Sequence, residues 1–397
     1  MNEFLDPKII AEFRKLINSS NIFYKLDSQK VRWNLICTLM DRLDSAINFL
    51  NTHFNQPETE DDFIFIMVFA SIIKDGIYKF YENIYNKKPS TTELKKYFSC
   101  ASVYGKPFFN EKTCPTDDVF FEYLRAVTFA HPFETSKGRR IDRTFMKDDE
   151  IHMSPWVFCN GFLYNKGMVG VRVYTNETDE HDILDLLIPF ENLKLYIKER
   201  YELIREFISW GEKAIDIQNQ KWRAIKIERS GDPKDILLNI REILKERFVD
   251  ESLIEEAIKI LNYSSAIDKN NSGVTIIKKI IEQKIDGICD AVDNLDYEKL
   301  YDELDILYKQ PKNLHPTANY ELEKIFLYLH GARDNVAFSS NEEWGLIQAK
   351  SFFKKYAYKY VFIDVDNMDY LEIKLLVKVS CILGWIEERK LLCLTEK

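Results

Sequence analysis

The chain has 397 residues, 46% apolar and 14% aromatic, with few glycines and prolines; this exceeds one ordinary core and excludes a disordered chain, leaving two or three helix-rich domains. A net charge of −9 excludes a general basic footprint for nucleic acid, so any such contact has to be local. The 7 cysteines are odd in number and include no Cys-x-x-Cys pair, which argues against a zinc ribbon and points to a reducing compartment.

The first residues, Met1 to Lys8, show no basic stretch followed by an apolar one. The longest apolar run, Phe63 to Ile73, is too short to span a bilayer. Together they predict a cytoplasmic chain with no membrane segment and no membrane partner. Pro7 to Ile17 reads as a short amphipathic helix through Ile9, Ile10, Phe13 and Leu16. Asp27-Ser28 opens a longer helix to about Phe54, with Val31, Leu35, Leu39, Leu43, Ile47 and Leu50 as its apolar stripe. A second long helix, about Thr59 to Tyr85, is apolar nearly all round in its first half and belongs at the centre of its domain. Asp75 follows that half; on a bland reading it pairs with Lys79, one helical turn on.

Ser90-Thr91-Thr92-Glu93 is a capping box predicting a helix to about Phe98, and Gly105-Lys106-Pro107 predicts a loop. The next helix is expected from about Asp118 to His131, capped by Asp117 and Asp118 and closed by Pro132. It carries Arg125 and, six residues later, His131. On an ideal helix the two side chains are roughly 120° apart around the axis and about 9 Å apart along it, so both border one groove without stacking. Phe120, Leu124, Val127 and His131 also form one stripe, which alternatively makes His131 a hydrogen-bonded histidine ending a core face. Lys137, Arg139, Arg140 and Arg143 follow as a local basic segment, either an RNA-binding stretch or a solvated face.

Beyond this the pattern changes to short β-branched and aromatic runs. Trp156 to Cys159, Met168 to Tyr174 and Asp182 to Pro189, separated by Asn-Gly and polar loops, predict a small antiparallel sheet. A long helix is expected from Glu191 to about Ile225, and Ser230-Gly231-Asp232-Pro233 is the clearest boundary. All that follows reads as helical, without a fixed-period repeat, a metal-ligand spacing, a phosphate-binding glycine loop or a nucleophile elbow. The predicted fold class is therefore mainly α. Residues 1–152 form an antiparallel helical bundle, 153–190 a small β insertion, 191–229 a long helix completing the N-terminal domain, and 234–397 an all-helical regulatory or partner-binding domain.

Arg125-x5-His131, on a capped helix behind two long amphipathic ones, resembles the arginine–histidine motif of the HEPN superfamily of helical ribonucleases. The resemblance implies a HEPN-like bundle over residues 27 to 150 or so, catalytic roles for Arg125 and His131, an acidic contribution from Asp75, and a homodimer with two motif copies facing one cleft. It further implies metal-independent, cofactor-free RNA cleavage in a toxin or phage-defence (abortive-infection) setting, with an antitoxin or infection-sensing protein as partner. The sequence departs from the commonest motif at Ala126, where a polar residue is frequent. The competing reading is a non-catalytic helical regulatory or interaction protein. A metal-dependent nuclease has little support, since His53, His152, His181, His315 and His330 are dispersed.

Overall fold

The computed structural model describes residues 4–53, 57–103, 106–110, 114–140, 150–159, 167–176, 183–330 and 340–395. The chain is mainly helical with a small five-stranded antiparallel sheet in its middle, and it divides into two compact units, Met1–Asp216 and Ile217–Lys397. The division falls within a helix, upstream of the turn at Ser230.

In the first unit α1 (Pro7–Asn18) starts with Pro7 at its first position and the Asp6 carboxylate accepting from the Lys8 N–H, and it buries Ile9, Ile10, Phe13 and Ile17. Short helices α2 (Ile22–Lys25) and α3 (Asp27–Lys30) precede α4 (Trp33–His53). The single helix expected from Asp27 is interrupted by a turn at Val31-Arg32. α3 buries no side chain; Val31, expected on the apolar stripe, is 81% exposed, and the buried face of α4 begins at Ile36. α5 (Glu60–Tyr85) begins with a capping box between Thr59 and Asp62 and buries Phe63, Ile66, Met67, Ala70, Ile73, Ile77 and Phe80. It is the central helix that its composition predicts.

The capping-box segment Ser90–Glu93 makes only one 3-10 turn, not a helix to Phe98. The backbone N–H groups of Lys96, Tyr97 and Phe98, which a continuing helix would spend internally, donate to the Asp117 carboxylate at 2.9, 3.0 and 3.0 Å. The expected loop at Lys106-Pro107 is instead a short strand: β1 (Ser102–Val103) pairs with β2 (Lys106–Pro107). After α6 (Asp117–Arg125) come β3 (His152–Cys159), β4 (Met168–Thr175) and β5 (Ile183–Pro189), giving the antiparallel order β2-β1-β5-β4-β3. The sheet gains its partner surface from helices: β3 lies against α5, and the Val157 N–H donates to the Glu60 carboxylate at 2.5 Å. A Cβ on Gly170 would lie 2.0 Å from the Leu186 carbonyl oxygen, on backbone that cannot swing away. Gly170→Ala is therefore expected to cost about 1–3 kcal/mol, read as a lowered urea midpoint. An unchanged midpoint would show that β4 and β5 have room to part.

The long helix expected from Glu191 to Ile225 is two, α7 (Phe190–Tyr201) and α8 (Ile204–Ala224). A turn of i→i−3 bonds at Leu203 and Arg205 separates them, and at this bend the Tyr201 hydroxyl donates to the Asp6 carbonyl at 2.6 Å. Arg200, wholly buried near the end of α7, stacks 3.8 Å above the Tyr196 ring. It donates to Asp118 Oδ1 through Nη2 at 3.0 Å and Nε at 3.3 Å, and to the Thr91 carbonyl at 3.0 Å. α6 is thus tied to α7 by a buried charge pair.

The second unit is helical among its described residues. Asp232 caps α9 (Pro233–Glu246) with Pro233 in first position, and α10 (Ser252–Asn262), α11 (Asp268–Asn294), α12 (Tyr297–Glu303), α13 (Ala318–Tyr328), α14 (Ser340–Lys355) and α15 (Tyr370–Thr395) follow. α11 presents Val274, Ile277, Ile281, Ile285 and Ile288 to the core. Glu321 of α13, only 2% exposed, accepts from His315, Thr317, Ser351 and Lys355. No helix among the described residues is long and apolar enough to cross a membrane.

Candidate functional site

The centre of the site is a charge cluster where α5 and α6 lie side by side. Asp118, Glu122 and Arg125 recur at helical spacing on α6, and Lys74 and Asp75 sit on α5 just past its most apolar part. Arg125 Nη1 donates to Asp75 Oδ2 at 3.1 Å and to the Glu122 carboxylate at 3.3–3.4 Å. Lys74 Nζ donates to Glu122 Oε1 at 2.6 Å, and Lys137 Nζ stands 3.6 Å from Glu122 Oε2. Asp75 therefore pairs with Arg125 and, at 3.4 Å, with Lys74, not with Lys79. Burial opposes ionisation of Glu122, but the Lys74 hydrogen bond and the charges of Lys74, Arg125 and Lys137 outweigh it and hold the carboxyl below its ordinary range. Glu122 is thus ionised at neutral pH, and its share of stability is lost only as pH falls through that depressed value.

Three cations meet two carboxylates here, a locally basic spot on an acidic chain. Among the described residues the Arg125 guanidinium makes its hydrogen bonds through Nη1. Its Nε is buried with no hydrogen-bond partner among the described residues, and Nη2 likewise makes no bond there. Because Nε is buried, Nη2 is the guanidinium nitrogen left to meet a phosphate or carboxylate oxygen.

The helix carrying the motif ends earlier than its sequence predicts. α6 is α-helical only to Arg125; Ala126–Ala130 form a π turn, and the His131 N–H reaches back to the Ala126 carbonyl at 2.8 Å. His131 itself leaves the helix at φ −145°, ψ 57°, so the ideal-helix offset between the two motif side chains does not apply. The N-cap is Thr116; Asp117 and Asp118 are spent on tertiary partners instead. Phe120, Leu124 and Val127 are buried as the stripe predicts, but His131 is exposed and does not end a core face. No hydrogen bond or ion pair joins its ring to the Arg125 cluster among the described residues.

The elbow after His131 is fixed by the sheet. The Ser154 N–H donates to the Pro132 carbonyl at 2.7 Å, and Thr135 and His152 exchange two backbone bonds of 3.0 Å. Behind it lies a buried chain from α6 to β3: the Tyr123 hydroxyl meets His152 Nδ1 at 2.8 Å, and His152 Nε2 meets Glu150 Oε1 at 2.9 Å. Burial lowers the His152 pKa, opposed by Glu150, so the ring is neutral near pH 7 and serves as a link between two hydrogen-bonding groups. Of the basic segment, Lys137–Arg140 make a 3-10 turn beside α6 and Lys137 joins the cluster; Arg143 lies outside the described residues.

Sequence reasoning missed Glu122, the hub of the cluster, although its i,i+3 spacing to Arg125 was a usable signal. It also set His152 aside as dispersed, because the contact that gives it a role comes from Tyr123 on α6. No group of three or more His, Cys, Asp or Glu side chains placed to hold a metal occurs among the described residues. No protein-family model matches the chain, and neither a curated protein nor a solved structure is significantly similar to it.

Proposed function

We propose that the chain is a metal-independent endoribonuclease of the HEPN type, acting as a homodimer in a toxin or abortive-infection role under the control of an antitoxin or infection-sensing protein. The observation that carries this reading is the state of Arg125: Asp75 and Glu122 hold it by Nη1, leaving Nη2 without a partner among the described residues, six residues before an exposed imidazole. A guanidinium so held can offer Nη2 to a phosphate oxygen, and an exposed imidazole can take or give a proton. The 2′-hydroxyl attacks the adjacent phosphorus, the 5′-oxygen leaves with a proton, and the products are a 2′,3′-cyclic phosphate and a 5′-hydroxyl. One imidazole cannot be base and acid in the same step, which is the reason for two motif copies facing one cleft. Lys137, Arg139, Arg140 and Arg143 supply the local phosphate contacts that the overall charge does not.

A second reading is favoured by the same ion pairs. Asp75 and Glu122 also neutralise Arg125, so the cluster can be a pin between α5 and α6 in a non-catalytic interaction protein. The two are separated by incubating purified protein with total RNA in excess EDTA: the ribonuclease reading expects cleavage with cyclic-phosphate ends that His131→Ala removes. No cleavage in any oligomeric state selects the second reading, and cleavage indifferent to His131 overturns the catalytic role given to that residue.

A further inference from the structure

A separate site lies in the second unit, where α10, α13 and the first turns of α15 border a cleft of about 600 Å³. That size suits a small ligand. Its floor is hydrocarbon, from Ile260, Phe326, Leu371 and Leu375. Two cations of the lining, Lys374 and Lys259, make no ion pair among the described residues. Lys374, half-buried, donates among the described residues only to backbone carbonyls, those of Leu329 at 3.1 Å and Phe326 at 3.4 Å, which leaves one of its three N–H donors without a partner there. Lys259 lines the same cleft from α10 and makes no ion pair among the described residues.

The three carboxylates that line the cleft each have a partner other than Lys259 and Lys374. Glu256 pairs with Lys378, Glu372 accepts from the Tyr263 hydroxyl at 2.9 Å, and Asp369 accepts from the Tyr370 N–H at 2.8 Å where α15 begins. Burial lowers the Lys374 pKa and the like charge of Lys259 lowers it further, so the two ammonium groups feel one another. Two ammonium groups beside an apolar floor are complementary to a molecule with a charged head and a flat hydrocarbon body.

We propose that this cleft binds a small organic anion, a carboxylate or phosphate ester on a flat apolar body, with the anionic group between Lys259 and Lys374 and the body against Phe326 and Leu375. The proposal is independent of the ribonuclease reading. It is tested by calorimetric titration of the full chain with 2-naphthoate, 2-naphthyl phosphate and the neutral 2-naphthalenemethanol. At least one anion is expected to bind tenfold or more tightly than the alcohol, and which one does so separates carboxylate from phosphate. Lys374→Met and Lys259→Met should each weaken that anion about tenfold while leaving the alcohol unchanged, and Leu375→Trp should exclude all three probes. Melting curves establish that each variant is folded, and exposed Lys259 is the safer substitution should Lys374→Met unfold. Equal affinity for anion and alcohol, anion binding unmoved by either lysine substitution, or no binding at millimolar probe overturns the proposal.

Discussion

His131→Ala and Arg125→Ala are each expected to lower RNA cleavage in EDTA by about 10²-fold or more while leaving the melting temperature of the chain nearly unchanged. The two halves of that expectation rest on different observations. His131 is exposed and its ring makes no bond among the described residues, so alanine removes proton transfer and little else. Arg125 is anchored to Asp75 and Glu122, but Lys74 remains at 2.6 Å from Glu122 and keeps that carboxylate compensated when the guanidinium is gone. Arg125→Lys is the sharper control: an ammonium can keep the ion pairs with Asp75 and Glu122, yet its single nitrogen cannot also stand in for Nη2, so it should preserve folding without restoring cleavage. Wild-type activity in Arg125→Lys would mean that only a point charge is used there. Equal growth inhibition by wild type and His131→Ala on expression would count against catalysis altogether.

The parts of this arrangement that were legible in the sequence are those fixed by local pattern. Thr59 and Asp62 mark the start of α5, and the apolar half that follows puts Asp75 beside the neighbouring helix, where it meets Arg125. The three main strands were legible from β-branched runs between turn residues. What escaped was decided at a distance. Ala126 to Ala130 carry an ordinary helical pattern, and Thr128 even bonds back to the Leu124 carbonyl at 2.6 Å; the exit at His131 is instead held by Ser154 and His152 on β3. In the same way Asp117 and Asp118 have the chemistry of helix caps, but one gathers three backbone N–H groups from residues 96–98 and the other meets Arg200 of α7. A residue type suited to a local role says nothing about a stronger partner arriving from elsewhere in the chain.

That distant pair supplies the largest stability effect expected here. Arg200 is fully buried and Asp118 is 9% exposed, so Arg200→Met strands a carboxylate that must either stay charged without its partner or take up a proton. Breaking a buried pair on one side costs about 3–5 kcal/mol, and the lost bond to the Thr91 carbonyl adds to it. The double variant Arg200→Met, Asp118→Leu removes both charges and should recover much of the loss, because apolar groups of similar bulk often replace a buried ion pair at little cost. Urea denaturation of the two variants measures the difference; a single-variant cost under about 1 kcal/mol would mean that water reaches Asp118 and screens it. Asp118 lies on α6 one turn before Glu122, so Arg200→Met is also expected to reduce RNA cleavage by loosening the helix that carries Arg125. Its signature differs from that of Arg125→Ala: the loss should grow with temperature and urea in step with unfolding, whereas removing the guanidinium silences a chain that is still folded.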